Sequence, residues 1–130
     1  MQEVKTVKLA VNGTLMRGLK LEQNMKDAKA VFVREDKTEA AYRIWSINDE
    51  HPAMQRVREG GVSVDLEVYE VPVETLYTIL LKEPPGLCIG KVKLLSNEEV
   101  LGVLGEAILC ENQKEITSFG GWRNYTANQK

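Results

Sequence analysis

The residues with the strongest chemical character lie in one short segment, directly after an alternating run that predicts a β-strand. Two glycines in this segment permit a tight turn whose successive backbone N–H groups form a nest for an anion, reinforced by a following helix start. A threonine adds a hydroxyl group, and an arginine can clamp a carboxylate through two parallel hydrogen bonds. We therefore expect a pocket for a small carboxylate, built mostly from main chain, at Asn12, Gly13, Thr14, Leu15, Met16 and Arg17. A plain turn with the arginine in solvent is the alternative.

Glu83 is the candidate for acid/base chemistry. It lies where a predicted helix meets Pro84-Pro85-Gly86, and such an edge can direct a carboxyl group into a cavity. Burial there would raise the pKa of the carboxyl group and suit it to proton transfer. A solvated charge at a helix end is the alternative. Arg123, in the tail, is a second candidate for substrate binding.

The remaining reactive side chains exclude several mechanisms. The chain has one histidine, His51, so a site with two or three imidazoles is excluded. Its charged neighbours predict that His51 lies in an exposed loop. Cys88 and Cys110 are not in a metal-binding or disulfide spacing, and we expect free thiols, no metal and no cofactor. Gly13 and Gly18 have the spacing of the two glycines of a P-loop, but Leu19 stands where a P-loop requires lysine, which argues against a nucleotide-hydrolysing loop.

Length and composition predict one domain over residues 1–130. Seventeen Lys and Arg against nineteen Asp and Glu give a formal charge of -2, which argues against a nucleic-acid partner. No window reaches 18 apolar residues, so no membrane span is expected. Gln2, Glu3 and Lys5 follow Met1 without an apolar stretch behind them, so we expect no secretory signal and a cytoplasmic protein.

Hydrophobic periodicity predicts the elements that position these side chains. In chain order we expect a strand over 4–11, a short helix over 19–27, a hairpin over 29–47, a loop over 48–52, and strands over 54–58 and 62–68. A helix over 73–82 and strands over 89–95 and 100–110 follow, and then a partly helical tail over 115–128 with Ser118 as N-cap. This order indicates an α+β fold, most simply a small mixed β-barrel with flanking helices.

The motif NGTLMRG after the first strand resembles the gamma-glutamylcyclotransferase-like superfamily, and more closely the C-terminal domain of allophanate hydrolases. The similarity continues through Glu59-Gly60-Gly61 and Glu67-Val68-Tyr69-Glu70-Val71-Pro72, and returns in the tail at Ile116-Thr117-Ser118-Phe119-Gly120-Gly121-Trp122-Arg123. It therefore extends over almost the whole chain. The resemblance implies a small mixed barrel with a pocket at the first loop.

The resemblance also implies two activities. In cyclotransferases the loop begins with tyrosine and binds the glutamyl carboxylate, while a glutamate moves the proton; Asn12 replaces the tyrosine here. In allophanate hydrolases the domain follows an amidase domain and is associated with decarboxylating the carboxylated intermediate that the amidase releases. Some members carry a histidine inside the loop, where this chain has Leu15.

Three functions follow as hypotheses. The first is a stand-alone allophanate hydrolase C-terminal-like domain with a small-carboxylate pocket, assisting amide or carbamate chemistry with a separately encoded amidase. The second is a cyclotransferase that releases 5-oxoproline from a gamma-glutamyl amide. The third is a non-catalytic binding module in which Trp122 and Tyr125 form part of an exposed aromatic patch; the alternative is that Phe119, Trp122 and Tyr125 attach the tail to the barrel. The oligomeric state is left open.

Overall fold

Eight strands in two β-sheets form the frame of the computed structural model, which describes residues 5–129. Val4, where the first strand is expected to begin, lies outside the described residues. The same is true of Gln2 and Glu3, on which the expectation of no secretory signal rests. The strands are β1 (Thr6–Val11), β2 (Val31–Lys37), β3 (Tyr42–Ile47), β4 (His51–Arg56), β5 (Asp65–Pro72), β6 (Leu87–Lys93), β7 (Glu99–Gly105) and β8 (Lys114–Glu115). The helices are α1 (Glu22–Asp27), α2 (Val73–Lys82), α3 (Ala107–Cys110) and α4 (Trp122–Ala127), with a 3-10 turn over Thr117–Phe119.

The larger sheet has the order β2-β5-β1-β7-β6, with β1 at its centre. β1 pairs antiparallel with β5 and parallel with β7, and its second half, Leu9 to Val11, is buried on both faces. A strand covered on both sides reads as a continuous apolar run, as it does here. The chain therefore leaves β1 from the middle of the sheet, and the loop that follows begins inside the fold.

The smaller sheet has the order β4-β3-β8, and one hydrophobic cluster joins side chains of both sheets. The α+β class is confirmed, but the expected barrel is not supported. The sheets are not closed, and in the described chain only an isolated bridge, Thr38 to Leu94, joins the chain just beyond the ends of the outer strands β2 and β6. β2 ends in the charged run Arg34–Lys37, which fits an exposed sheet edge and not the closed wall of a barrel.

The expected hairpin over 29–47 is also wrong. β2 pairs with β5, whereas β3 pairs with β4. The chain changes sheets at Thr38, which is fully buried and exchanges two hydrogen bonds with Val64: its N–H donates to the Val64 carbonyl at 3.0 Å, and its hydroxyl accepts from the Val64 N–H at 2.9 Å. The polar residues between the two predicted strands are typical of a hairpin turn, and they did not indicate that the chain passes from one sheet to the other.

The helix over 73–82 is confirmed as α2, and Pro84-Pro85 prevent its continuation. The strand expected over 100–110 ends instead at Gly105, because the chain turns where Glu106 N–H donates to the Gly86 carbonyl, and α3 follows. Ser118 lies in the 3-10 turn and does not cap α4, whose N-cap is Gly121. Between residues 5 and 129 no helix is long and apolar enough to cross a membrane.

Candidate functional site

The loop after β1 is compact because it is closed by its own backbone. Met16 N–H donates to the Gly13 carbonyl at 3.0 Å, and Leu21 N–H donates to the Thr14 carbonyl at 2.9 Å. The loop residues Asn12 to Met16 are all buried, whereas Arg17 and Gly18 reach the surface. The expected loop therefore exists, and its first five residues belong to the interior.

Gly13 is the contact between this loop and the smaller sheet. A Cβ atom at this position would lie 2.6 Å from two ring carbons of Pro52, on β4, which is closer than carbon atoms can pack. Glycine is required here by the close approach. On the preceding residue, Asn12 Nδ2 donates to the Val103 carbonyl on β7 at 3.0 Å. The side chain of Asn12 thus holds the loop against the sheet.

A narrow pocket, here named the loop pocket, lies where the loop, β4 and the end of α2 meet. Its volume is about 10 Å³, roughly the space that one water molecule needs. It brings together five of the predicted site residues, Asn12 to Leu15 and Glu83. Its lining is Val11, Asn12, Gly13, Thr14, Leu15, His51, Pro52, Glu83, Leu87 and Val103.

Glu83 follows the last turn of α2 in an extended conformation, with its N–H donating to the Leu80 carbonyl at 3.2 Å. Its carboxyl group has no hydrogen-bond or ion-pair partner among the described residues. Burial raises the pKa of Glu83 from 4.5 to about 7, and no nearby charge opposes the shift. Near pH 7 the carboxyl group is therefore present in both protonated and ionised forms, as a proton-transfer group requires.

His51 is not the exposed loop residue that the sequence predicts. It is the first residue of β4, only 8% exposed, and it lines the loop pocket, as does Glu83. The reason is the short connection between β3 and β4: Ile47 pairs with His51, and only Asn48, Asp49 and Glu50 lie between them. Asn48 and Asp49 both adopt positive φ, and Glu50 N–H donates to the Ile47 carbonyl at 2.9 Å. An Asn-Asp pair between two strands is the sequence signal for such a turn.

Arg17 is not among the residues that line the loop pocket, and its role as a carboxylate clamp stays a prediction. Its backbone N–H donates to Glu67 Oε1 at 2.9 Å, and its side chain bridges Glu67 Oε2 at 3.3 Å and Glu35 at 3.0 Å. The guanidinium also lies 3.7 Å from the ring centroid of Phe32. Glu67 is a buried carboxylate, and a buried charge must be paired. The arginine is therefore committed to an internal partner.

Arg123 joins the same internal cluster. Its Nη2 donates to Glu67 Oε2 at 3.2 Å and to the Arg17 carbonyl. Tyr69 completes the cluster by donating its hydroxyl to Glu67 Oε1 at 3.3 Å, and burial together with this carboxylate raises the pKa of Tyr69 to about 12. These bonds tie the end of the loop, β5 and the tail together. Arg123 thus stabilises the loop and lies outside the loop pocket.

Met16 and Arg123 line a different and larger cavity of about 400 Å³, together with Leu66, Glu67 and Trp122. The predicted site residues therefore divide into two groups. Asn12 to Leu15 and Glu83 share the loop pocket, whereas Met16, Arg17 and Arg123 lie around Glu67.

The aromatic residues of the tail pack inward. Trp122 and Tyr125 are 5% and 1% exposed, and the Tyr125 hydroxyl donates to Asp49 at 2.6 Å. Phe119 makes an edge contact with Tyr125, with ring centroids 5.2 Å apart. The exposed aromatic patch expected for a binding module is therefore wrong: these rings attach the tail to the body and to the turn that precedes His51.

Comparison with known proteins places this geometry in a family. The model of the allophanate hydrolase C-terminal domain matches residues 7–127. The crystal structure of c4763, a uropathogenic E. coli-specific protein, is 56% identical, with a TM-score of 0.94 over 97% of this chain and 99% of its own. Allophanate hydrolase of Kluyveromyces lactis is 30% identical, with a TM-score of 0.91 over 97% of this chain and 22% of its own.

Urea amidolyase of Saccharomyces cerevisiae is 31% identical over 127 residues, which are 92% of this chain and 7% of that protein. The chain thus spans a small part of the length of the curated relatives it matches. An AIG2-like protein from Mus musculus, 20% identical with a TM-score of 0.60 over 80% of this chain and 78% of its own, shares the fold alone. The chain belongs to the allophanate hydrolase C-terminal domain family.

Proposed function

We propose that this domain assists the decarboxylation of a small carboxylated amide, and that Glu83 in the loop pocket supplies the proton. One observation carries the proposal: a half-buried carboxyl group, with no partner among the described residues and a pKa raised to about 7, lines the pocket formed by the loop after β1. The family supports the substrate class, because its members include chains with the activity named allophanate hydrolase.

The proposed step is a balanced proton transfer. In a carbamate of the form R–NH–COO⁻, the C–N bond breaks, its electron pair stays on nitrogen and CO2 leaves. Protonated Glu83 gives its proton to that nitrogen, which yields R–NH2 and leaves Glu83 as a carboxylate. Glu83 then regains a proton before the next turnover. General acid catalysis of this kind is worth about 10²–10⁴ in rate.

The loop residues Asn12, Gly13, Thr14 and Leu15 would hold the reacting end of the ligand. The groups they offer to a carboxylate are main-chain N–H groups and the Thr14 hydroxyl, because the side-chain amide of Asn12 already donates to the Val103 carbonyl. The pocket has room for only a water-sized group, so the rest of the ligand stays at its mouth. Arg17 and Arg123 serve the site indirectly, because they fix the end of the loop through Glu67.

We further propose that a separately encoded amidase supplies the ligand. The domain occupies 22% of an allophanate hydrolase chain and 7% of a urea amidolyase chain, so in those relatives it is joined to other parts of the same chain. A cytoplasmic location is consistent with this partner and with the two cysteines, Cys88 and Cys110, which are free thiols.

The test combines this protein with the amidase domain of an allophanate hydrolase and its substrate allophanate, and follows ammonia and CO2 separately. We expect the wild-type protein to accelerate CO2 release after the amidase step by at least about tenfold, and Glu83→Gln to remove the effect. Glu74→Gln, at an exposed position at the start of the same helix, is the matched control and should behave as wild type. Equal CO2 release with and without the protein would contradict the proposal.

A cyclotransferase is the second candidate, and Glu83 could also serve as its base. It is less well supported, because the glutamyl group has to enter a pocket of about 10 Å³. Formation of 5-oxoproline from a gamma-glutamyl amine by the wild-type protein, lost in Glu83→Gln, would favour it over decarboxylation.

A further inference from the structure

We propose that the larger cavity, beside Glu67, is a second binding site and takes a small zwitterion, an α-amino acid with an apolar side chain. This cavity, here named the tail cavity, has a volume of about 400 Å³, which lies within the range of small-molecule sites. It shares no lining residue with the loop pocket, so the inference does not depend on the proposed function. The lining residues that carry the argument are Met16, Lys37, Asp65, Leu66, Trp122 and Arg123.

The indole of Trp122 gives the tail cavity an unpartnered hydrogen-bond donor. Trp122 is only 5% exposed, and its indole N–H has no hydrogen-bond partner among the described residues. In that part of the chain Gln55 Nε2 is the only fully enclosed side-chain nitrogen or oxygen without a partner. The indole N–H is therefore not sealed in the interior, and the small exposed part of the side chain includes it. Because Trp122 lines the tail cavity, this N–H is available to an acceptor group there.

Arg123, the next residue, places a positive charge beside that donor. Its Nη2 is held by Glu67 and by the Arg17 carbonyl, whereas Nε and Nη1 have no hydrogen-bond partner in the described chain. The guanidinium is thus fixed on one side and free on the other, and about half of the side chain is exposed. An arginine next to a second N–H donor is an arrangement that recognises a carboxylate.

Asp65 brings the opposite charge next to the same segment. Its backbone N–H donates to the Gly120 carbonyl at 2.8 Å. A Cβ atom at Gly121 would lie 3.1 Å from the Asp65 Cβ, so the two backbones approach closely at the residue that precedes Trp122. The carboxylate of Asp65 is exposed and accepts no hydrogen bond from the described residues. It is therefore available to an ammonium group on a ligand.

The other carboxylates of the tail cavity already have closer partners. Glu35 and Asp36 each form an ion pair with an arginine, at 3.0 Å and 2.8 Å, and Glu67 forms two. Asp65 has only Lys37, at 3.8 Å, and both of these side chains are exposed. A ligand's ammonium group is therefore directed to Asp65, because the carboxylate there gives up the weakest contact.

The two free charges select a zwitterion over a simple anion or a simple cation. A carboxylate without an amino group pairs with Arg123 but faces Asp65, and an amine without a carboxylate pairs with Asp65 but faces Arg123. A molecule that carries both groups satisfies both residues. The apolar side chains of Met16 and Leu66, which also line the cavity, then cover an apolar side chain of the ligand.

Three probes of similar size separate these cases: L-leucine, 4-methylpentanoate, which lacks the ammonium group, and 3-methylbutylamine, which lacks the carboxylate. Binding is followed by NMR through the indole N–H signal of Trp122, which Trp45→Phe identifies because the chain has two tryptophans. We expect L-leucine to shift this signal saturably, with a Kd of about 1 mM or tighter. Each analogue should bind at least about tenfold more weakly, since it loses one charge-assisted hydrogen bond.

Asp65→Asn tests the ammonium contact, and Asp27→Asn is its matched control. Asp27 is also exposed and also has a lysine, Lys82, at 3.8 Å, but it lies outside the tail cavity. We expect Asp65→Asn to weaken the binding of L-leucine by about tenfold without weakening that of 4-methylpentanoate. The control should bind both probes as wild type does.

Three results would overturn the proposal. The first is the absence of a saturable shift of the Trp122 indole signal with L-leucine, which would show that the tail cavity is not a binding site. The second is equal binding of L-leucine and either analogue. The third is binding of L-leucine by Asp65→Asn with the affinity of wild type. None of these results bears on CO2 release, which is measured in a separate assay.

Discussion

Replacing Glu83 with glutamine should stabilise the protein above about pH 4.5, with the full effect reached above about pH 7. Glutamine has nearly the same shape, carries no charge and leaves the α2 end intact. In the folded protein burial raises the pKa of the Glu83 carboxyl group from 4.5 to about 7. Between these two values the folded state binds a proton that the unfolded state has lost, so the stability of wild type falls as the pH rises.

The size of the effect follows from the difference between the two pKa values. A difference of about 2.5 pH units corresponds to a free energy of about 3 kcal/mol. Below pH 4.5 both states are protonated and the effect is absent. It grows through the interval up to pH 7 and is complete above it, where wild type keeps a half-buried carboxylate with no partner among the described residues. Glu83→Gln avoids this cost.

Urea denaturation of wild type and variant at pH 5 and pH 8.5 measures the prediction. We expect the stability advantage of Glu83→Gln to be larger at pH 8.5 by about 2.5 kcal/mol, because a small part of the effect is already present at pH 5. Other titrating groups cancel in the difference between the two proteins, and Glu74→Gln should show no such change. A difference between wild type and Glu83→Gln that is the same at both pH values would refute a raised pKa of the Glu83 carboxyl group.

Three further substitutions test the parts that hold the loop pocket. Gly13→Ala should cost about 1–3 kcal/mol in urea denaturation, because its methyl group overlaps Pro52; wild-type stability would show that the loop and β4 do not touch. Glu67→Gln should cost about 2–4 kcal/mol and shift the loop amide resonances, since two arginines lose their buried partner; unchanged loop resonances would contradict its anchoring role. Tyr125→Phe should cost about 1–2 kcal/mol by removing the hydrogen bond to Asp49, and a neutral result would show that this bond does not support the turn.

The parts of the site that the sequence predicted are those set by local chemistry. Pro84 and Pro85 end α2 whatever surrounds them, and this alone places Glu83 at an element boundary. The glycines of the loop likewise mark a turn after β1. For Glu83 the sequence left two alternatives open, a carboxyl group directed into a cavity and a solvated charge at a helix end. The loop and β4 pack on the end of α2 and form the cavity that Glu83 lines.

The parts that the sequence did not predict depend on partners distant in the chain. Arg17 has the right chemistry for a carboxylate clamp, but the carboxylate it binds is Glu67, 50 residues away on β5. The charged neighbours of His51 predict a loop, but only three residues separate β3 from β4, so His51 already belongs to the strand. β2 pairs with β5 and β3 pairs with β4, so residues 29–47 do not form a simple hairpin. These pairings also depend on contacts between residues that are distant in the chain.

The pH dependence of CO2 release tests the central claim, that protonated Glu83 delivers the proton, most directly. The quantity to measure is the protein-dependent rate, taken as the rate with protein minus the spontaneous rate at the same pH, in the coupled amidase assay. A general acid whose pKa is about 7 predicts a level rate below that pH and a fall of about tenfold per pH unit above it, with no protein-dependent rate in Glu83→Gln. A protein-dependent rate that rises with pH, or that survives in Glu83→Gln, would contradict the account.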